Sequence, residues 1–137
     1  MIVYEEKKQI SSPKDIAEIM QKILMTEDVI DQEKEHFYVI HLDTRNKIKI
    51  IELISIGTIN AALVHCREVY RRAISIGGSS IMIAHNHPSG DCTPSDSDLQ
   101  ITNNIKKSGD IIGIGLLDHI IFSTNNFYSL KEHGELL

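Results

Sequence analysis

Apolar and polar positions along this chain follow two rhythms. Over residues 11–28, "SSPKDIAEIMQKILMTED", apolar side chains recur three and four apart at Ile16, Ile19, Met20, Ile23 and Leu24. That spacing predicts an amphipathic helix with its stripe against a core. Ser12 is placed to cap it, Pro13 suits the first helical position, and Asp15 favours the positive end of the helix dipole. Residues 1–10 read as an irregular or strand-like arm. The rhythm then changes. "EHFYVIHLD" (35–43) and "IKIIELISI" (48–56) are rich in β-branched and aromatic residues and flank the polar "TRNK", which predicts a hairpin.

After Gly57-Thr58, residues 63–78, "LVHCREVYRRAISIGG", read as a helix that Gly77 and Gly78 end. "SSIMIA" (79–84) is short and nearly all apolar, as a central strand buried on both faces should be. Residues 95–109 read as a helix with Gly109 as its stop. Residues 110–123, "DIIGIGLLDHIIFS", give one long strand or two short ones, "TNN" a turn and "FYSL" a last strand. "KEHGELL" reads as a frayed turn. The resulting order predicts an α/β (α+β) chain: a mixed, largely antiparallel sheet packed with helices.

The 137 residues suit one domain, with residues 1–30 as an arm and helix and 35–137 as the core. Cys66 and Cys92 form no C-x-x-C pair and read as reduced thiols of an intracellular protein. The first residues lack the pattern of a signal peptide, and no apolar run is long enough to span a bilayer, so a cytoplasmic location is expected. The net charge is −5. A general nucleic-acid binder carries a basic footprint, so DNA binding is expected to be weak. Arg67, Arg71 and Arg72 share one predicted helix, and 67 and 71 share a face.

The chemistry concentrates in residues 81–98, "IMIAHNHPSGDCTPSDSD". In an extended chain, residues two apart point the same way, so His85 and His87 can reach one point. Pro88 and Gly90 force a turn. Ten residues separate His87 from Asp98, enough to return and begin a helix. Ser95-x-x-Asp98 has the spacing of a capping box, and on its own that is all it need be. Capping leaves a carboxylate oxygen over, so Asp98 can also lean toward the histidines. Two imidazoles and a carboxylate make a three-ligand zinc set with an open fourth position, the mark of a catalytic site. An HNH-type nuclease is excluded, because that fold spreads its metal and base residues over a ββα unit.

His85, His87, Pro88, Gly90, Ser95 and Asp98, in the pattern H-x-H-P-x-G-x4-S-x2-D, resemble the JAMM motif of JAB/MPN metalloprotease domains. "AHNHPSG" with "PSDSD" is more closely similar to the RadC family, long labelled DNA repair proteins. "GTINAALVHCREVYRRA" resembles that family's G-T-x-N...P-R-E segment, with Cys66 in place of proline, and "LLDHIIF" resembles its V-L-D-H-I-I segment. The similarity runs from about residue 35 to the C-terminus. It implies a JAB/MPN (cytidine deaminase-like) architecture and a stand-alone domain without the helix-hairpin-helix region typical of the family.

The resemblance implies zinc held by His85, His87 and Asp98, Ser95 stabilising an oxyanion, and a glutamate on an early strand as general base. Glu35, Glu52 and Glu68 are candidates, and strand order favours Glu35. His119 could support a ligand but reads more simply as a structural histidine. Asn86 points away from the pair, His36, His41, His65 and His133 lack partners at ligand spacing, and Cys92 is a loop residue. The activity implied is hydrolysis of peptide or isopeptide bonds in an unknown protein or peptide substrate. The competing readings are a nucleic-acid-associated protein and a non-catalytic scaffold.

Overall fold

The structure, a computed structural model, describes residues 2–4, 8–60 and 62–136. Strand β1 (Ile2–Tyr4) leads to α1 (Pro13–Leu24) and a four-residue helix α2 (Val29–Gln32). The hairpin β2 (His36–Leu42) and β3 (Ile48–Ile56) follows, then α3 (Cys66–Ser75), β4 (Ser80–Asn86), α4 (Asp96–Ile112), β5 (Gly115–Phe122) and β6 (Phe127–Ser129). The strands form one sheet in the order β1-β3-β2-β4-β5-β6. Among the described residues only β4 and β5 run parallel, and the other pairings are antiparallel.

The sheet divides two cores. Ile16, Met20 and Leu24 of α1 pack against Tyr38, Ile40, Met82, Ala84 and Phe122 on one face. On the other, Val69, Tyr70 and Ala73 of α3 and Ile101 and Ile105 of α4 cover Phe37, Val39, Ile81 and Ile83. Every residue of β2 and β4 is buried, which explains why "SSIMIA" shows no alternation. At the start of α1, the Asp15 carboxylate accepts the backbone N–H groups of Ser11 and Ser12 at 2.9 and 3.1 Å. Among the described residues no helix is long and apolar enough to cross a membrane.

Several boundaries differ from the sequence reading. Helix α1 stops at Leu24 rather than 28, and α3 begins at Cys66. Gly109 does not end α4. The helix continues to Ile112 and stops at Gly113, whose φ of +80° is the left-handed cap conformation. Residues 110–112 are therefore helical rather than strand. Gly109 is needed because the Tyr70 hydroxyl and the Ile114 carbonyl press on the helix there; a Cβ would lie 2.3 Å from each. The C-terminal turn is not frayed: Leu130 is buried, Tyr128 is hydrogen-bonded to Glu135, and its ring stacks on His133.

The register between β4 and β5 matters for the site. Ile81 pairs with Leu116 and Ile83 with His119, so two residues of β5 lie opposite Met82 alone. This bulge resets the alternation and turns His119 toward the α3/α4 face. An unbroken alternation from Leu116 would put Asp118 there instead.

Candidate metal centre

His85 and His87 stand at the C-terminal end of β4. His85 is fully buried beside Phe37; the following strand residue, Asn86, points to the opposite face. The His87 backbone N–H donates to the Phe122 carbonyl at 2.9 Å, holding the chain in extended form past the strand end. Gly90, with φ of +91°, then turns it back. The returning loop is pinned where the His87 Nδ1–H donates to the Asp91 carbonyl at 2.8 Å. Cys92 fills a small apolar cluster with Ile121 and Leu130, and burial pushes its thiol pKa up, so it is a packed side chain.

Ser95 caps α4. Its hydroxyl accepts the Asp98 backbone N–H at 3.1 Å, while the Asp98 carboxylate accepts the Ser95 N–H at 2.9 Å. This reciprocal cap aims Asp98 at the histidines. Asp98 Oδ1 lies 3.1 Å from His85 Nε2, and Oδ2 lies 3.1 Å from His87 Nε2. The two Nε2 atoms are 2.9 Å apart. Burial opposes the charge on Asp98, but the two imidazoles more than offset it and hold the carboxyl well below the usual range. The same contact with Asp98 raises the His87 pKa.

His85, His87 and Asp98 are, among the described residues, the group that could hold a metal ion. Zinc bonds of about 2.0–2.1 Å in a tetrahedral arrangement set ligand atoms about 3.3 Å apart. Separations of 2.9–3.1 Å are close to that. His87 gives its Nδ1 proton to Asp91, so its Nε2 lone pair faces the gap. The donor set fits zinc.

The three glutamates part company. Glu35 is half-buried, its Oε2 accepts the Ile59 N–H at 3.1 Å, and it shares a shallow cleft with Gly57, Thr58 and Pro88. Its charge makes a small contribution to raising the His87 pKa. Glu52 is buried elsewhere, bound to Arg72 Nε at 2.9 Å and His41 Nε2 at 3.3 Å. Glu68 pairs with Arg71 at 3.8 Å on the helix surface. Arg72 turns inward to Glu52, which leaves Arg67 and Arg71 as the exposed cations of that helix.

Three further residues meet the site: Asn86 and His119, which the sequence reading weighed and set aside, and Thr102, which it did not name. Asn86 clamps the backbone on both sides of Glu35: its Oδ1 accepts the His36 N–H at 2.6 Å and its Nδ2–H donates to the Lys34 carbonyl at 2.9 Å. His119, read as structural, has its Nε2 2.8 Å from His85 Nδ1. Thr102, on α4, lies 2.6 Å from His119 Nδ1. The "LDHII" stretch was the only sequence signal for His119, and nothing near Thr102 marked it.

A family model described as the RadC-like JAB domain matches residues 10–135. A UPF0758 protein of Chlorobium phaeovibrioides is 43% identical over 129 residues, covering 94% of this chain and 56% of the relative. A UPF0758 protein of Methanosarcina mazei is 42% identical over 132 residues, with 96% and 56% covered. One from Caldanaerobacter subterraneus is 45% identical over 125 residues, with 91% and 52% covered. The chain spans about half the length of these curated relatives.

Proposed function

This chain belongs to the RadC-like JAB domain family, and from that premise we propose that it is a zinc-dependent hydrolase of peptide or isopeptide bonds. The observation that carries the reading is the convergence of His85 Nε2, His87 Nε2 and the Asp98 carboxylate, with no lysine or arginine paired to Asp98 among the described residues. These three residues would hold the metal. A zinc ion there supplies Lewis acidity that brings the pKa of a water to about 7.

The protein does the rest. Glu35, braced by Ile59 N–H on one oxygen, uses the other to take a proton from the attacking water. It delivers that proton to the nitrogen as the C–N bond breaks, so the amine leaves neutral. The Ser95 oxygen is engaged by Asp98 N–H, but its hydroxyl hydrogen is left to donate to the oxyanion of the tetrahedral intermediate. Asn86 keeps Glu35 in reach by fixing the backbone at Lys34 and His36.

Elemental analysis of protein purified from zinc-containing medium tests the premise: one zinc per chain is expected. A stoichiometry near zero, unchanged after zinc is added, overturns it. A nucleic-acid-associated role has the exposed Arg67 and Arg71 in its favour, against a net charge of −5. Under our reading DNA binding is weak and collapses between low and physiological salt. Sub-micromolar binding at physiological salt would favour the nucleic-acid role.

A further inference from the structure

We propose that His119 and Thr102 are positioning residues: with Asp98 they form a closed hydrogen-bond relay that puts the His85 proton on Nδ1 and turns its Nε2 lone pair into the site. The proposal rests on the zinc-site reading above.

The relay can be counted proton by proton. The Thr102 hydroxyl has one hydrogen, and it lies 2.8 Å from the Asp98 backbone carbonyl, which can only accept. With that hydrogen spent, Thr102 Oγ1 can only accept from His119 Nδ1, 2.6 Å away. His119 therefore carries its proton on Nδ1. A neutral imidazole has one N–H, so His119 Nε2 is bare and must accept from His85 Nδ1 at 2.8 Å. His85, which must be a neutral imidazole to bind zinc, is then bare at Nε2, the atom that faces Asp98 and His87. Each assignment forces the next once the Thr102 hydrogen lies on the Asp98 carbonyl. His85 and His119 are fully buried and Thr102 is 3% exposed, so water offers no substitute partner.

Two features of the fold make the relay possible. The bulge in β5 aims His119 at His85. The helix α4 carries both ends: Asp98 supplies the carboxylate at one end of the chain and its own carbonyl at the other. Rotating or sliding α4 would thus disturb a ligand and the device that orients its neighbour together. Such outer hydrogen bonds fix the tautomer of a ligating histidine, and their loss typically weakens metal binding about 10–100-fold.

The experiment uses the full chain and zinc ions. Zinc affinity is measured by chelator competition for the wild type, His119→Phe, Thr102→Val and Thr102→Ser, with circular dichroism to confirm folding. Phenylalanine keeps a ring and loses both nitrogens; valine keeps the shape of threonine and loses the oxygen; serine keeps the oxygen. About 10–100-fold weaker binding is expected for His119→Phe and Thr102→Val, with Thr102→Ser near wild type. If His119→Phe does not fold, Thr102→Val carries the test. Two-bond ¹H–¹⁵N spectra of the zinc-loaded wild type should show His119 protonated at Nδ1 and bare at Nε2. The opposite tautomer, or Thr102→Val within twofold of wild type, overturns the relay while leaving the zinc site intact. A wild type that takes up no zinc overturns both.

Discussion

Asp98 and Glu52 are both nearly buried carboxylates on the α3/α4 side of the sheet, each set against two nitrogen bases. Glu52 meets Arg72 and His41; Asp98 meets His85 and His87. His41 pairs across the sheet with Ile81, and His85 lies four residues further along β4, so the two clusters are roughly 13 Å apart at about 3.3 Å per residue. Their chemistry differs because of where the protons are. Arg72 cannot give up its proton, and neutral His41 spends its Nε2–H on Glu52, so that carboxylate is answered by fixed donors. At Asp98, the His87 proton is drawn away to Asp91, and three lone-pair-bearing atoms are left facing one another. One cluster joins a helix to a sheet; the other could hold a metal ion. Both the arginine and the direction of the hydrogen bonds separate them.

The largest expected effect breaks the comparison at its metal end. His87→Ala removes a ligand that is 15% exposed and so least needed for the core. Zinc content should fall from one per chain toward zero by elemental analysis. Glu52→Gln should leave zinc content unchanged; a loss there would mean the clusters are not independent. The next effect separates binding from proton transfer. Glu35→Gln keeps the shape of the side chain and an oxygen for Ile59 N–H, so zinc content should hold. Hydrolysis of peptide or isopeptide substrates should fall about 10²–10⁴-fold. If the rate survives, Glu35 is not the base.

The two clusters were not equally legible in the sequence. His85-x-His87 and Ser95-x-x-Asp98 are local patterns: strand alternation and a capping box each bring side chains together within a few residues. The Glu52 cluster joins residues 41, 52 and 72, whose meeting depends on hairpin register and on how α3 lies across it. No spacing encodes that, so Glu52 remained a candidate base beside Glu35. His119 was named as a possible support for a ligand but read as structural, for a different reason. The β5 bulge breaks the alternation that sequence reading assumes, and "LDHII" looks regular from within. Gly109 misled because its use is tertiary: it makes room for Tyr70, whose hydroxyl donates to the Ile105 carbonyl at 2.9 Å. The apolar run "DIIGIG" fits a helix end as well as a strand, and only Gly113 decides it. The hairpin, by contrast, was readable because β-branched residues and a polar turn recur within one short segment.

Removing the Glu52 charge should show what its cluster is for. Glu52→Gln leaves Arg72 without its counter-charge, although the guanidinium is one-third exposed and can turn to water. The loss should therefore sit near the low end for a broken buried pair, about 3 kcal/mol, read from urea unfolding. A change under about 0.5 kcal/mol would mean that α3 is held by packing alone.

The smallest effect is the pH dependence of that cluster. Burial lowers the His41 pKa below its usual 6.5, against the pull of the Glu52 charge, and among the described residues its Nδ1 has no hydrogen-bond partner. In the unfolded chain His41 takes a proton as pH falls through about 6.5. In the folded protein it resists until a lower pH. The unfolded state therefore binds more protons in that window, and stability is lost as pH falls from about 6.5 toward the folded pKa; above 6.5 His41 contributes no pH dependence. His41→Gln can still donate to Glu52 but does not titrate. Between pH 7 and 5.5 the wild type should lose more stability than His41→Gln, by up to about 1 kcal/mol, since one pH unit is worth at most about 1.4 kcal/mol per proton. Taking the difference between the two proteins cancels the titration of His87 and Asp98, because sites more than about 10 Å apart contribute independently. Equal losses in the two proteins would show that protonated His41 is accommodated next to Glu52. The Glu52 cluster would then be a proton acceptor as well as a tether, and the contrast with Asp98 would rest on Arg72 alone.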